Sequence, residues 1–69
     1  MQNVRVNSLS MRVEMARNRL TNDKLRDVTG ISKATISAVR NGKSCSRATA
    51  EKIAKALKMS VTELIESEV

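Results

Sequence analysis

The stretch of residues 22–41, NDKLRDVTGISKATISAVRN, constrains the fold more than any other part of the chain. It contains two short segments whose apolar residues recur at helical spacing, and Gly30 lies between them. Because glycine reaches positive φ without steric cost, a turn of only a few residues can join the two helices. The stretch therefore predicts a helix-turn-helix. Its apolar positions are Leu25 and Val28 in the first helix, Ile31 after the turn, and Ile36 and Val39 in the second helix.

Polar residues that can cap a helix precede each apolar-periodic segment. Besides the helix-turn-helix, they predict a helix from residue 8 to about residue 19 and another from residue 47 to about residue 58. A capping box at residues 60–63, SVTE, starts a last short helix. The candidate capping residues are Asn7, Thr21, Ser32, Ser46 and Ser60.

The predicted fold class is therefore all-α, with five helices in one compact domain at residues 7–69. Residues 1–6 are predicted to form an N-terminal arm. Val4 and Val6 alternate with polar residues there, which fits a short extended segment, but disorder is the favoured interpretation.

The outward face of the second motif helix favours a binding function over a purely structural one. At about 100° per residue, an outer strip consisting of Ala34, Ser37, Ala38 and Asn41 lies almost opposite the buried stripe. Helices that face only solvent usually carry Glu and Lys. Short uncharged side chains instead let a helix approach a flat surface, such as the base-pair edges of a DNA major groove. The alternative is a purely structural helix hairpin.

The charge of the chain supports a nucleic-acid partner. Thirteen Lys and Arg against seven Asp and Glu give a net charge of +6, and three of the acids lie after residue 60. The basic body attracts phosphate polymers. No Phe, Tyr or Trp is present, which argues against modules that stack single-stranded bases on aromatic rings.

The run LTNDKLRDVTGISKATISAVRNGKS resembles the helix-turn-helix of the phage repressor and Cro family, through its L-T-x-x-x-L, T-G-I-S and N-G-K elements. The later IAKALKMSVTELI resembles the closing helices of that family. The resemblance implies a lambda-repressor-like domain that binds double-stranded DNA, acts as a transcriptional regulator and forms a homodimer on a two-fold-related operator.

The resemblance also implies roles for individual residues. Base edges would be contacted by Lys33, Ala34, Ser37 and Ala38. The DNA backbone would be held by Asn22, Ser32, Asn41, Lys43, Ser44 and Arg47, and Thr35 would touch either. An apolar patch near the end of the chain either closes the core or forms the dimer; it consists of Val61, Leu64 and Ile65.

The sequence departs from the family pattern in two respects. Many members pair an Arg of the first helix with a Glu late in the third, whereas Met15 and Arg40 stand here. That ion pair is absent, and Glu14 with Arg40 is its candidate substitute. Arg26 stands where the family usually has Ala, and we expect its head to lie in water, near Asp23 or near a phosphate.

The first helix has two competing apolar stripes, and the resemblance favours Met11 and Met15 as its buried face. The opposite stripe would then meet another helix or a partner subunit; it consists of Leu9, Val13, Ala16 and Leu20.

Nothing in the sequence predicts catalysis, a cofactor, a metal site or a small-molecule ligand, and the chain has no His. Asp23 and Asp27 are interpreted as surface charge, and the single Cys45 as a structural or loop residue rather than a redox switch. We expect a non-enzyme in the cytoplasm, without a membrane segment. The alternative function is a protein-interaction module of the same fold, such as an antirepressor or antitoxin.

Overall fold

A computed structural model of the chain describes residues 3–68. Within that range the chain forms five helices and three short strands. In chain order these are β1 (Asn3–Val6), α1 (Ser8–Arg17), α2 (Asn22–Thr29), α3 (Lys33–Arg40), β2 (Ser44–Ser46), α4 (Arg47–Ala56), α5 (Val61–Leu64) and β3 (Ile65–Glu68). The five predicted helices are confirmed, but the fold is not purely helical.

The predicted capping residues all cap a helix: the side chain of each accepts a backbone N–H from the first turn that follows it. At Ser60 the capping box is complete, because the Glu63 carboxylate also accepts from the Ser60 N–H. The capping residues are Asn7, Thr21, Ser32, Ser46 and Ser60.

Two helices end earlier than predicted, α1 at Arg17 and α4 at Ala56. Each is closed by a residue with positive φ: Arg19 has φ 54° and Lys58 has φ 58°. The next amides, of Leu20 and Met59, bond back to carbonyls five residues earlier, at 2.8 and 3.0 Å. This is the Schellman arrangement, and here it is made without glycine.

The strands form one antiparallel sheet in the order β2-β1-β3. Val4 pairs with Cys45 of β2, and Val6 pairs with Ile65 of β3. The two valines of β1 are almost completely buried, at 0% and 1% exposure. The interpretation of residues 1–6 as an arm is therefore wrong for residues 3–6, which form the central strand of the sheet. Residues 1 and 2 of that arm lie outside the described part.

The core is purely apolar and spans both the helices and the sheet. Met11 and Met15 of α1 are buried in it, as the resemblance implied, whereas Leu9 is 72% exposed. In the helix-turn-helix Leu25 is buried, but Val28 is 64% exposed, so the predicted Leu25/Val28 stripe is wrong at its second position. The buried side chains are Val4, Val6, Met11, Met15, Leu25, Ile36, Val39, Cys45, Ala50, Ile53, Ala54, Leu57 and Leu64.

The patch near the end of the chain mainly closes this core. Leu64 is fully buried within the monomer, so its side chain cannot be part of a dimer surface of this fold. Val61 and Ile65 pack against the core but stay half-buried, and only they keep surface that a partner could contact.

Cys45 lies on β2 and packs into the core. Burial raises the pKa of its thiol above the ordinary value, because the charged thiolate is poorly solvated there. A less available thiolate is less reactive, which agrees with a structural role.

No helix between residues 3 and 68 combines the length and the apolar character that a membrane span requires.

Candidate nucleic-acid interface

The turn between α2 and α3 is held by local hydrogen bonds. Gly30 ends α2 with φ 74°, and its N–H donates to the Arg26 carbonyl. The Thr29 hydroxyl donates to the Leu25 carbonyl at 2.6 Å and accepts from the Ile31 N–H at 3.2 Å. These bonds fix the chain direction from one helix to the next. The helix-turn-helix predicted from the sequence is thus formed, with Gly30 at its turn.

The outer strip lies on the side of α3 away from the core. Ile36 and Val39 are buried, while Ala34, Ser37 and Asn41 are exposed and Ala38 is half-buried. Together with Lys33, which is also exposed, these side chains form a small, weakly polar surface. A helix with so little bulk on its outer face can lie close to base-pair edges in a major groove.

The residues implied as backbone contacts lie at the ends of the motif helices and along the segment that follows α3. Ser32 caps α3 with its side chain, and its hydroxyl also donates to the Thr35 hydroxyl at 2.9 Å. Arg47 begins α4 and forms an ion pair with Glu51 at 3.7 Å. The others are Asn22, which begins α2 and is half-buried, and Asn41, Lys43 and Ser44, which follow α3 and are exposed.

Arg40 does not pair with Glu14, so the candidate substitute for the family ion pair is not formed. The Glu14 carboxylate instead lies 3.5 Å from Arg17. Arg40 is half-buried at the last turn of α3, and its Nη1 donates to the Asn22 side-chain oxygen at 2.9 Å. The salt bridge expected between α1 and α3 is thus replaced by a hydrogen bond between α3 and α2.

Arg12 is a further arginine with a contact between elements, and it was not singled out from the sequence. Its Nη2 donates to the Asn41 side-chain oxygen at 3.3 Å and to the Arg40 carbonyl at 3.5 Å. One signal was available for Arg40: it follows Ile36 by four residues and so lies beside the buried stripe, where a long side chain must cross a neighbouring helix. No comparable signal existed for Arg12.

Arg26 keeps its charged head at the surface, as expected. Its side chain is 49% exposed and lies 3.3 Å from Asp27 and 4.0 Å from Asp23. Asp23 also accepts from the Lys33 ammonium at 2.8 Å, across the turn. The hydrogen bond and charge of Lys33, with a smaller effect of Arg26, lower the pKa of Asp23. Asp23 and Asp27 are both exposed, in agreement with their interpretation as surface charge.

Two capped helices, a glycine turn and an outward strip of small side chains define a helix-turn-helix DNA-binding domain. The family model described as the Cro/C1-type HTH DNA-binding domain matches residues 10–68. The chain belongs to this family. No curated protein and no solved structure was found to match it. The match begins after β1, so the central strand of the sheet lies outside the matched segment.

Proposed function

We propose that this protein is a sequence-specific regulator of transcription that binds double-stranded DNA, with α3 in the major groove. The observation that carries the proposal is the outer strip: α3 exposes short, uncharged side chains opposite its buried Ile36 and Val39. Membership of the Cro/C1-type family supports DNA binding as such. The resemblance to phage repressors supports a repressor of phage or mobile-element type.

We propose that different residues contact the bases and the phosphates. Lys33, Ala34, Ser37 and Ala38 meet base edges. Because this set offers few hydrogen-bonding groups, methyl contacts to thymine and readout of DNA shape carry much of the specificity. Asn22, Ser32, Thr35, Asn41, Lys43, Ser44 and Arg47 hold the sugar-phosphate backbone and fix the register of α3 on the duplex.

Two substitutions test this division. Lys43 is exposed just after α3, so Lys43→Ala should weaken binding to all DNA sequences alike. It should also flatten the salt dependence by about 0.9 log units per decade of salt for each lost phosphate contact. Ala34 is exposed in the outer strip, and Ala34→Glu should abolish preference for a selected genomic fragment while the fold persists.

Binding of both variants to the selected fragment and to scrambled DNA, over a salt series, checks these outcomes. Circular dichroism is the folding control. If Ala34→Glu binds the selected fragment as well as the parent protein does, α3 is not the helix in the groove, and the proposal loses its main support.

We further propose that the working unit is a homodimer, because one small recognition helix reads too few base pairs to select a site in a genome. The second copy would dock on a groove between α1 and α5, of about 390 Å³, whose apolar lining consists of Leu9, Val13 and Met59. Glu14 and Arg17, which lie 3.5 Å apart, line the α1 side of this groove, and Glu63 lines the α5 side. A two-fold axis along the groove would set the Glu14–Arg17 pair of one copy against Glu63 of the other, so the contacts of Leu9 and Val13, rather than charge, would hold the dimer.

Sedimentation of Leu9→Glu tests the dimer, because Leu9 is 72% exposed and a charge there should disrupt docking without unfolding the chain. Val28→Glu is a matched control on α2, where the valine is 64% exposed. We expect a monomer for the first and the parental oligomer for the second. If Leu9→Glu keeps the parental oligomer, the interface lies elsewhere, and Val61 and Ile65 are the next candidates.

A protein-interaction role with the same fold is the second candidate, and the exposed apolar side chains of Leu9 and Val13 favour it. A gel shift with genomic fragments at moderate salt separates the two functions. Selection of a defined fragment supports the regulator, whereas only nonspecific, salt-sensitive binding supports an antirepressor or antitoxin.

A further inference from the structure

Arg40 connects the end of α3 to the start of α2 through one side-chain hydrogen bond. Its Nη1 donates to Asn22 Oδ1 at 2.9 Å, and the two residues are 18 positions apart in sequence. The Arg40 Nε is buried and has no hydrogen-bond partner in the described part of the chain. A buried donor left unpaired is unfavourable for stability, so packing alone does not account for an arginine here.

The chemistry of this pair determines which end of the Asn22 amide faces Arg40. A guanidinium carries only donors, and an amide has an oxygen that accepts and a nitrogen that donates. Only the Asn22 oxygen can therefore face Arg40, and the NH₂ group must point away from it. Between residues 3 and 68 no acceptor is hydrogen-bonded to this NH₂ group. The Asn22 amide is thus oriented with its donor unused.

Asn22 lies where a bound anion is favoured, so its unused NH₂ group can donate to such an anion. Asn22 is the first residue of α2, where the helix leaves backbone N–H groups unbonded and its dipole favours an anion. The Arg40 guanidinium adds a full positive charge beside this helix end. Asp23 supplies one negative charge in the first turn of α2, and the added positive charge of Arg40 favours a further anion there, such as a DNA phosphate.

A second pair repeats the arrangement at the end of α3. Arg12 donates to Asn41 Oδ1 at 3.3 Å, which again leaves the amide NH₂ group pointing away from a guanidinium. Both asparagines are among the residues proposed to contact the DNA backbone. The Arg12 bond is longer and exposed, so the Arg40 pair is the better defined of the two.

We infer that Arg40 is a positioning residue for DNA binding: it holds the Asn22 amide so that the NH₂ group is directed to a phosphate of the DNA backbone. This inference rests on the proposed function. Arg40 acts through Asn22, and its own charge adds a smaller, nonspecific attraction to the same phosphate. Because the contact is to the backbone, it strengthens binding to every duplex alike.

A double-mutant cycle on a mixed-sequence duplex tests the inference without knowledge of the operator. Its four proteins are the parent, Asn22→Ala, Arg40→Met and the double variant. We expect Asn22→Ala to weaken binding about tenfold, since it removes one hydrogen bond to a charged group. Arg40→Met should weaken binding strongly in the parent but several-fold less in the Asn22→Ala background, because the residue it positions is then missing.

Lys24→Met is the control for lost charge, since Lys24 is exposed on α2 and its side chain forms no hydrogen bond to Asn22. It should weaken binding by the same factor in both backgrounds. If Arg40→Met also has the same effect in both, Arg40 acts by charge or stability alone, and the inference is overturned. If the parent binds no duplex DNA at all, the proposed function fails together with it.

Asn22→Asp keeps the test usable if Arg40→Met does not fold. The aspartate retains an oxygen for Arg40 but has no NH₂ group to donate to phosphate. We expect an unchanged or higher urea midpoint together with a loss of DNA affinity of more than tenfold. Parental affinity of Asn22→Asp would show that the amide donor is not used and would overturn the inference.

Discussion

The ammonium group of Lys33 lies 2.8 Å from a carboxylate oxygen of Asp23, so an ion pair joins the start of α3 to the start of α2. Both side chains are more than half exposed, at 55% and 59%. The pair spans the turn of the motif. It holds the Lys33 side chain, which lies at the start of α3 and which we propose to contact a base edge. An exposed pair of this kind adds little to stability, and its interest lies in where it directs Lys33.

The first prediction concerns the titration of Asp23, whose pKa is lowered below the ordinary value of 3.8, chiefly by Lys33. Because the folded pKa is depressed, the pair's contribution is fully present above pH 3.8 and is lost as pH falls through the folded pKa. Carboxyl NMR titration should give a pKa for Asp23 below 3.8, and Lys33→Met should raise it. An unchanged value in Lys33→Met would mean that the pair does not form in solution.

The second prediction compares two leucines with opposite burial. Leu64 is fully buried, so Leu64→Ala should lower the free energy of unfolding by roughly 2–5 kcal/mol. This is a large part of the stability of a domain this small. Leu9 is 72% exposed, and Leu9→Ala should change stability by less than about 0.5 kcal/mol. Urea unfolding of both variants measures the difference, and equal losses would contradict the burial of Leu64.

The third prediction concerns Arg26, which stands where the family usually has Ala. Its partners are surface carboxylates, and Ala is a slightly better helix former. Arg26→Ala should therefore leave the free energy of unfolding within about 0.5 kcal/mol of the parent. A loss well above 1 kcal/mol in urea unfolding, by the scale of about 1–3 kcal/mol for an orphaned buried group, would indicate a buried partner.

The fourth prediction uses the positive φ of Lys58, at 58°. A residue with a Cβ is strained in this conformation and glycine is not, so Lys58→Gly should be more stable than Lys58→Ala by about 1 kcal/mol. Both variants lose the same charge. Inside α4 at Lys55 the order should reverse, with Gly about 1 kcal/mol below Ala. The same order at both sites in thermal or urea unfolding would show that α4 does not end as described.

Much of the helical part could be predicted because its signals are local. A capping residue, an apolar stripe and Gly30 each act within a few residues of themselves, so the helices and the turn of the motif followed from the sequence. Val28 shows the limit of this reasoning. Its spacing from Leu25 fits a buried stripe, but burial depends on which neighbouring helix covers that side, and none covers Val28 fully.

The sheet could not be predicted in the same way, because its strands have only three or four residues each and come from distant parts of the chain. The alternation of Val4 and Val6 was visible, but two valines do not identify the strands they pair with. The hydrogen bonds from Arg12 and Arg40 could not be predicted for the same reason. They cross 29 and 18 residues, and they depend on helix angles that no local pattern fixes.

The central position of β1 also has a consequence for the order of folding. Val6 pairs with Ile65, so residues 3–6 gain their second neighbouring strand only after residues 65–68 have been synthesised. Pairing over such a separation is slow compared with helix formation, and we expect the sheet to set the folding rate. Until then the edge of β1 can pair with other chains. A short segment far along the sequence thus determines how long a nascent chain is exposed to aggregation.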